Sequence, residues 1–362
     1  MKVSINSKFL DGPYGGGMKF AIFLKGFLSE RGVFVVNDLK DSDIDIILHV
    51  NPFPHIQQVS AYSYLEALAY KLMHPKAIII QRINECDERK GTSHMNRLLL
   101  KVSKHSDFIV FISTWLRGNL EASGFDKKKP NKVILNGADS SIFSPRPFTK
   151  ERSVNEKLKL VTHHWSANMM KGHDVYQHLD ALLGNKEYEN MFSFTYIGNL
   201  PKETVYKNTR LLPPLSGHEL AKEIQAHDIY LTATINEPAG MHHVEGAMCG
   251  LPLLYRNSGA LPEYCGGYGL VFNLENFQEK LLQIKDEYKT WKEKMPRYPN
   301  TAEYMAKQYL ELFKVLSSNS DEFQIKSSIL VRSFSAIAIS SYSKVHTFFF
   351  KVFFKVKNKF SV

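Results

Sequence analysis

The sequence predicts an α/β protein built from two Rossmann-like domains that face a central cleft. Short runs rich in β-branched residues alternate with amphipathic stretches, which is typical of parallel βαβ units. The alternation stops in a polar, proline-containing segment over residues 139–157 and then begins again. Each half opens with a strand and a glycine-bearing turn, and a chain of 362 residues is long enough for two cores.

The elements follow from hydrophobic periodicity and from helix start and stop signals. In the first half, strands are predicted over residues 3–9, 33–36, 44–50, 77–83, 108–112 and 133–135, and helices over 18–30, 59–73 and 114–122. In the second half, strands are predicted over residues 158–163, 192–197, 229–232 and 251–255. The expected domains are 1–145 and 146–300, followed by a closing helix over 301–322 that returns toward the first domain and a basic aromatic tail over 323–362.

The composition is that of a folded soluble protein, with 44% hydrophobic and 23% charged residues. Cys86, Cys249 and Cys265 have no paired or CxxC spacing, which favours a reducing compartment and argues against structural zinc. No stretch of about 18 apolar residues suggests a spanning helix, and the first residues lack the apolar run of a signal peptide. We therefore expect a cytoplasmic protein.

The net charge of +10 lies mainly in the tail. Residues 324–362 contain seven Lys or Arg and no Asp or Glu, which leaves +3 for the first 323 residues. A basic character confined to the tail argues against nucleic acid as a partner.

The stretch DGPYGGGMKF places glycines between a predicted strand and a predicted helix. Glycines let a ligand approach the backbone closely, and a helix N-terminus presents free N–H groups to an anion. Gly16 and Gly17 are therefore candidates for contact with a phosphate or a sugar, and the alternative is a tight turn that needs positive φ. The spacing is not GxGxxG, so a nicotinamide cofactor is not indicated.

A lysine follows the first strand of the second half, in THHWSANMMKGHDVY. Lys171 is predicted at a helix start, where its ammonium group could pair with phosphate oxygens. The alternative is an exposed lysine in the first helical turn.

Two glutamates, Glu237 and Glu245, lie eight residues apart in NEPAGMHHVEGAMCGLP. Pro238 and Gly240 indicate that a helix begins only after them. Glu237 is therefore predicted in a loop, and Glu245 in the first turns of a helix that ends near Gly250.

Polar groups are also dense after a strand of the first half, in QRINECDERKG, and two histidines flank another strand end in HVNPFPH. Such positions lie on the cleft side of a parallel sheet. They are candidates for contact with a ligand, and the alternative is a pair of solvated loops. The candidates are Arg82, Asn84, Asp87, Arg89, His49 and His55.

Neither acidic nor histidine clusters predict a metal site. Asp41, Asp43 and Asp45 precede a strand, so they lie at the wrong end of the sheet for a ligand. His242 and His243 lack the i, i+4 spacing and a nearby third ligand.

Together these motifs resemble the retaining glycosyltransferases of family 4, the group 1 glycosyltransferases, which have the GT-B fold. EPAGMHHVEGAMCGLPLLYRNSGALPEY is similar to the E-x7-E signature of that family. FISTWLRGNLEASGF and VILNGADSSIFSP are similar to the end of its first domain, Lys171-Gly172 matches its phosphate-binding lysine, and AEYMAKQYLELFKVL resembles its closing helix. The matches occur in order over residues 1 to about 316.

The resemblance implies a role for each matched residue. Glu237 would lie beside the donor sugar, and Glu245 would accept hydrogen bonds from the ribose hydroxyls of a nucleotide sugar. Lys171 and backbone N–H groups would stabilise the diphosphate leaving group, so Glu237 and Lys171 are the catalytic candidates. A UDP- or GDP-sugar is the favoured co-substrate, no cofactor or metal is expected, and the first-domain candidates become acceptor-side residues. The donor-binding candidates are Glu245, Gly16, Gly17, Gly240, Gly259, Ser166 and Asn199.

The chain departs from the family pattern at four positions. Ser166 stands where the family commonly has an arginine, five residues before the lysine, so the diphosphate would depend on another cation or on more backbone contacts. Ala239 replaces a usual aromatic residue, and His242 and His243 replace apolar residues of the helix.

The tail, with SKVHTFFFKVFFKVKNKF, interleaves lysines with aromatic residues. On a helical wheel four of the lysines fall within about one quarter of the circumference, opposite apolar side chains. This pattern favours association of residues 324–362 with an anionic membrane surface. The alternatives are a helix packed on the core and a β-strand.

The sequence thus predicts a retaining glycosyltransferase that moves a sugar from a nucleotide sugar to a glycan or lipid-linked acceptor. Its expected role is the synthesis of a cell-surface polysaccharide, lipopolysaccharide or glycolipid, at the inner face of the membrane. Two alternatives stay open: a nucleotide-sugar epimerase or phosphorylase on the same fold, and a non-catalytic basic protein that binds membranes or nucleic acid.

Overall fold

The structure is a computed structural model that describes residues 1–10, 16–53, 59–146, 156–202, 204–326, 328 and 330–343. These residues form two six-stranded sheets, one in each half of the chain, with helices packed against both. Every strand pair within the two sheets is parallel. The predicted fold class of two Rossmann-like domains is confirmed.

The first domain contains six strands and five helices in the described residues. They are β1 (Lys2–Ile5), α1 (Gly16–Ser29), β2 (Phe34–Val36), β3 (Ile46–His49), α2 (Tyr64–Met73), β4 (Ile78–Ile83), α3 (Asp87–Lys90), α4 (Met95–Ser103), β5 (Phe108–Phe111), α5 (Thr114–Ala122) and β6 (Asn131–Val133).

The second domain and the helix that follows it continue the alternation. Their elements are β7 (Leu158–His164), α6 (His173–Leu182), α7 (Lys186–Met191), β8 (Phe192–Gly198), β9 (Arg210–Leu212), α8 (Gly217–Gln225), β10 (Ile229–Thr232), α9 (Met241–Met248), β11 (Leu253–Arg256), α10 (Leu261–Cys265), β12 (Gly269–Phe272), α11 (Phe277–Asp286), α12 (Tyr288–Lys294) and α13 (Ala302–Ser318).

The strand order defines where a ligand can bind. The first sheet has the order β2-β1-β3-β4-β5-β6, and the second has the order β9-β8-β7-β10-β11-β12. In each sheet the order reverses once, between β1 and β3 and between β7 and β10. A crevice opens outside the carboxyl ends of the strands at such a switch point, and ligands bind there in open α/β sheets.

Several element boundaries differ from the prediction for local reasons. The predicted strand 3–9 ends at Ile5, and Phe9 adopts a positive φ of 48° that is incompatible with a strand. The helix predicted from residue 59 begins at Tyr64, because Ser63 accepts a hydrogen bond from the Glu66 N–H while the Glu66 carboxylate accepts one from Ser63. In the predicted glycine turn 11–17, residues 11–15 lie outside the described residues, and Gly16 and Gly17 begin α1.

The last long helix, α13, packs on the first domain rather than on the second. Its buried side chains share one apolar cluster with β1 and α1. The rings of Phe20 on α1 and Tyr309 on α13 lie 5.1 Å apart. Burial of this face holds α13 against the domain in which the chain starts, since removing apolar surface from water is the main favourable term in packing.

The two segments that cross between the domains pair with each other. Ala138 and Thr301 form a parallel bridge, and the Ala302 N–H donates to the Ala138 carbonyl oxygen at 2.8 Å. Gly137 lies directly against the other segment: a Cβ placed there would come within 2.0 Å of the Thr301 carbonyl oxygen. The crossing therefore has no room for a side chain at residue 137.

Residues 330–343 form a further helix, α14, after the crossing. Within the described part of the chain, no helix is both long enough and apolar enough to span a membrane.

We predict that Gly137→Ala lowers the free energy of unfolding by about 1–3 kcal/mol, because the crossing segments must separate to admit the methyl group. The matched control is Gly118→Ala within α5, where an added Cβ meets no heavy atom within 4 Å. That control should be neutral or stabilising by about 0.5–1 kcal/mol, since alanine is the better helix former. Thermal denaturation of both variants checks this, and equal melting temperatures would contradict the packing assigned to Gly137.

Candidate active site

A cleft of about 340 Å³ separates the two domains. Its first-domain wall includes Gly16, Gly17 and Asn84, and its second-domain wall includes Lys171, Glu237 and Glu245. The two sheets therefore direct residues at their carboxyl ends into one shared space.

Glu237 lies in a loop after β10, as the sequence predicts, and the loop is held from behind. Asn236 has a positive φ of 51°, and its N–H donates to Ser258 Oγ at 2.9 Å. The Glu237 carbonyl oxygen accepts from the Ala260 N–H at 2.8 Å. Gly259 fits under this loop only because it has no Cβ, which would lie 2.4 Å from the Glu237 nitrogen. The backbone around Glu237 is thus fixed by the turn that follows β11.

The Glu237 carboxylate contacts a cation from each domain. Its Oε2 lies 3.2 Å from Lys171 Nζ and also 3.2 Å from Arg89 Nη2. Arg89 belongs to α3 of the first domain. Arg89 also donates from Nη1 to the carbonyl oxygens of Met170 and Ile235, at 3.3 and 3.1 Å. A single guanidinium therefore bridges the cleft at three acceptors of the second domain.

These contacts set the charge state of Glu237. Burial alone raises the pKa of its carboxyl, but the charges of Lys171 and Arg89 outweigh burial and hold the pKa below its ordinary value. Burial also lowers the pKa of the Lys171 ammonium, and the neighbouring Glu237 charge opposes that shift. The two side chains form a close pair of opposite charges in the cleft wall, and they are 15% and 7% exposed.

Glu245 lies on α9, as predicted, and its two oxygens have different partners. Oε1 lies 3.1 Å from Lys19 Nζ of α1 in the first domain, and Oε2 lies 2.8 Å from His163 Nε2 at the end of β7. The carboxylate is only 2% exposed. Burial raises the pKa of this carboxyl, but Lys19 and the hydrogen bond from His163 overcome burial and lower the pKa to about 2.

The tautomer of His163 follows from its neighbours. The Tyr230 hydroxyl accepts the backbone N–H of His163 at 3.1 Å, and it lies 2.9 Å from His163 Nδ1. The hydroxyl proton is therefore free to bond Nδ1, which leaves the ring proton on Nε2 to be donated to Glu245. Tyr230 thus orients the donor that holds one side of the Glu245 carboxylate.

Three more histidines pack beneath the cleft. His164 Nε2 lies 2.8 Å from the Tyr176 hydroxyl, His242 Nε2 lies 2.8 Å from Thr232 Oγ1, and these two rings are 4.6 Å apart. Burial lowers the pKa of both rings, and it lowers the pKa of His243 to about 4. All three are neutral at pH 7. Across the described residues, no three His, Cys, Asp or Glu side chains are grouped to hold a metal ion.

Several predicted site residues do line the cleft, and others lie elsewhere. The predicted residues in its wall are Gly16, Gly17, Arg82, Asn84, Ser166, Lys171, Glu237, Gly240 and Glu245. Gly259 lies behind the Glu237 loop instead. Asn199 is exposed, and its side-chain amide donates to the Trp165 carbonyl oxygen at 2.6 Å, which fixes the loop after β7.

Asp87 and His49, which the sequence analysis placed on the acceptor side of the cleft, have structural roles instead. The Asp87 carboxylate accepts hydrogen bonds from the N–H groups of Met95 and Asn96, at 2.8 and 3.0 Å, and so holds the start of α4. His49 is fully buried at the end of β3, where burial lowers its pKa to about 3. Neither lines the cleft. His55 lies outside the described residues.

The sequence did not single out Lys19 and His163, the two partners of Glu245. Lys19 lies three residues after Gly16, in the first turn of α1, and His163 is the first histidine of THHW. Both lie near the carboxyl end of a strand, Lys19 in the helix that follows β1 and His163 in the last residues of β7. The packing of the first domain on the second selects Lys19, and the packing of β7 against α9 within the second domain selects His163.

Comparison with known proteins supports the fold. No protein-family model matches the chain, and no curated protein sequence matches it. Among solved structures, a sucrose-phosphate synthase from Thermosynechococcus elongatus matches with a TM-score of 0.61 at 12% identity, over 88% of this chain and 99% of the other. A glycosyltransferase from Rickettsia africae matches with a TM-score of 0.59 at 15% identity, over 88% and 98%.

A third solved structure that is similar to this chain is HepE from Anabaena in complex with UDP-glucose, with a TM-score of 0.55 at 14% identity, over 89% of this chain and 98% of the other. At such identities the likeness shows the fold. The chain has the GT-B fold of these glycosyltransferases, with two Rossmann-like domains around a cleft.

We predict that Glu245→Gln is less stable than the wild type by roughly 3 kcal/mol near pH 7, because a pKa of about 2 lies more than two units below the ordinary 4.5. A lowered folded-state pKa stabilises the protein above the unfolded-state pKa, and this stabilisation is lost as the pH falls. The difference in the free energy of unfolding between the wild type and Glu245→Gln should therefore shrink as the pH falls from about 5 to about 2.

Melting temperatures of both proteins over this pH range provide the measurement. Glu189→Gln, on the exposed face of α7, is the matched control and should show little difference at any pH. A difference in melting temperature between the wild type and Glu245→Gln that does not change with pH would contradict the ion pairs assigned to Glu245.

Proposed function

We propose that the protein is a retaining glycosyltransferase that transfers a sugar from a nucleotide sugar to a glycan or lipid-linked acceptor. The observation that carries this proposal is the pair of buried, ionised carboxylates in the cleft of a GT-B fold. Glu237 and Glu245 lie where β10 leads into α9, at the switch point of the second sheet. The resemblance of this segment to the E-x7-E signature supports the same reading.

In the proposed complex, Glu245 accepts hydrogen bonds from the ribose hydroxyls, and Glu237 orients the donor sugar. The N-terminus of α1, at Gly16 and Gly17, faces the cleft and is suited to the diphosphate, because its first N–H groups have no partner within the helix. Lys171 lines the same cleft, and its Nζ lies 3.2 Å from Glu237 Oε2. UDP- and GDP-sugars are the favoured donors.

The proposed reaction breaks the bond between the anomeric carbon and a diphosphate oxygen, and the electron pair leaves with the nucleoside diphosphate. The acceptor hydroxyl forms the new bond to that carbon, and its proton passes to the departing diphosphate. Negative charge grows on the diphosphate, where Lys171 and fixed backbone N–H groups stabilise it. We assign Glu237 an orienting role because two cations already engage its Oε2 and lower its basicity. We propose that this step uses no metal ion.

The test is a thermal-shift panel of UDP-, GDP-, ADP- and CMP-sugars on the wild type and Glu245→Ala. A ligand at 100 times its Kd should stabilise the native state by about 2.7 kcal/mol. We expect one nucleotide to raise the melting temperature of the wild type and of the control Glu189→Ala, and to have no effect on Glu245→Ala. No shift with any nucleotide at millimolar concentration would overturn the proposal. Isomerisation of the bound donor without an acceptor would favour an epimerase.

We further propose that α14 attaches the protein to an anionic membrane, at its inner face in the cell. Leu330, Phe334 and Ile337 share one face of the helix and are 68%, 73% and 65% exposed. On the opposite face Ala336 and Ser343 are buried, and Ser343 Oγ lies 3.1 Å from the Oγ of Ser63, which caps α2. An apolar face of this kind suits the interface of a bilayer.

The charge of the tail is complementary to anionic lipid. Residues 324–362 carry seven cations and no acidic residue, and each cation near the surface contributes about 1 kcal/mol. The lysine-rich stretch that the sequence predicts as a membrane-surface helix, within residues 344–362, lies outside the described residues. Helix α2 follows the carboxyl end of β3, so the contact of Ser343 with Ser63 brings α14 to the cleft edge of the first sheet. A membrane bound there would present a lipid-linked acceptor to the first domain.

We predict that the full chain co-sediments with vesicles of phosphatidylglycerol and phosphatidylcholine in equal parts, and far less with phosphatidylcholine alone. Phe334→Ser combined with Ile337→Ser should lose most of the binding, because the inserted apolar area is removed. The control is Tyr304→Ser with Val315→Ser on α13, which are 55% and 58% exposed and lie outside α14. Equal binding of the two double variants would contradict attachment through α14.

A further inference from the structure

Both oxygens of the Glu245 carboxylate already have partners within the protein. Lys19 holds Oε1 and His163 holds Oε2. If Glu245 binds ribose hydroxyls, as the proposed function requires, then an incoming donor competes with one of these partners. The inference that follows therefore rests on the proposed nucleotide-sugar site.

Lys19 is the partner that can leave. Its side chain is 45% exposed, whereas that of His163 is 11% exposed. The His163 ring is also fixed by Tyr230 within the same domain. Lys19 belongs to the other domain, on a flexible four-carbon side chain whose ammonium can reach several positions in the cleft. A ribose hydroxyl can therefore take the place of Lys19 on Oε1 without disturbing the second domain.

The released ammonium has a destination nearby. Lys19 lies in the first turn of α1, whose N-terminal residues Gly16 and Gly17 line the cleft. This is the helix end proposed to receive the diphosphate. Ser166, which also lines the cleft, brings no charge to the leaving group. The diphosphate of a nucleotide sugar carries two negative charges, and Lys171 is the one cation assigned to it in the described wall while Lys19 stays on Glu245.

The other cations of the cleft are less able to supply that charge. In the described wall they are Lys171, which is paired with Glu237, and Arg82. The Arg82 guanidinium is 2% exposed, donates to Asn136 Oδ1 at 2.7 Å and lies 4.0 Å above the Phe20 ring. Lys171 is already assigned to the diphosphate and has no second charge to supply. Arg82 cannot shift toward the diphosphate without leaving its buried partner Asn136 behind, which is costly.

We propose that Lys19 is an exchangeable cation that neutralises Glu245 in the empty cleft and moves to the donor diphosphate when the ribose hydroxyls take its place. The exchange replaces one ion pair by hydrogen bonds to Glu245 and by a charge-assisted bond from the ammonium to phosphate oxygens. It also keeps Glu245 partnered at every stage, so that no buried charge is left alone.

This exchange predicts that removing the Lys19 ammonium has different effects on the binding of a nucleoside and on the binding of a nucleoside diphosphate. A nucleoside has a ribose but no phosphate, so it must displace Lys19 and offers it no new partner. A nucleoside diphosphate offers both. Removing the ammonium should therefore help or leave unchanged the binding of the nucleoside, and it should weaken the binding of the nucleoside diphosphate.

The experiment is calorimetric titration of the full chain with the nucleoside and the nucleoside diphosphate of the base that stabilises the wild type. The variants are Lys19→Met, Lys19→Arg and the control Lys25→Met, an exposed lysine on the same helix. For Lys19→Met we expect the Kd of the diphosphate to rise about tenfold or more, and the Kd of the nucleoside to stay equal or fall. Lys19→Arg should recover most of the diphosphate affinity, and Lys25→Met should match the wild type.

Equal losses for nucleoside and diphosphate in Lys19→Met would show that Lys19 only joins the domains, and would overturn the exchange. An unchanged diphosphate affinity in Lys19→Met would overturn it as well. These results differ from failure of the proposed function, in which no nucleoside diphosphate binds even the wild type.

Discussion

Each of the two buried carboxylates of the second domain has a cation of the first domain among the partners that lower its pKa. Arg89 contacts Glu237, and Lys19 contacts Glu245, each across the cleft. Isolated burial of a carboxylate would favour its neutral form. The packing of one domain on the other and the charge state of the site are therefore linked: separating the domains would remove a cation from both glutamates.

The fold positions these charges through its two switch points. Strands β7 and β10 are neighbours in the second sheet, and the segments that follow them carry Lys171 and Glu237. The glycine-bearing start of α1 follows β1 at the corresponding point of the first sheet. The two segments that cross between the domains pair with each other at Ala138 and Thr301. Helix α13, which follows the second crossing, packs against α1 of the first domain.

Local patterns in the sequence were sufficient to predict much of this. The alternation of strands and helices predicted the two sheets, and Pro238 with Gly240 predicted that Glu237 lies in a loop while Glu245 lies on a helix. Contacts between distant segments were not predictable, because nothing in the sequence near Lys19 indicates that Glu245 is its partner. Asp87 shows the related difficulty: an acidic residue after a strand can cap the next helix instead of facing a ligand, and the sequence pattern is the same in both cases.

The central claim is that Glu245 recognises ribose, and one comparison tests it most directly. Calorimetry would measure the Kd of the nucleoside diphosphate that binds and of its 2′,3′-dideoxy analogue, for the wild type and for Glu245→Gln. Loss of the hydroxyls should weaken binding to the wild type by about tenfold or more, and it should change binding to the variant far less, because the two changes remove the same interaction. An equal loss in both proteins would contradict the assignment of Glu245 to the ribose.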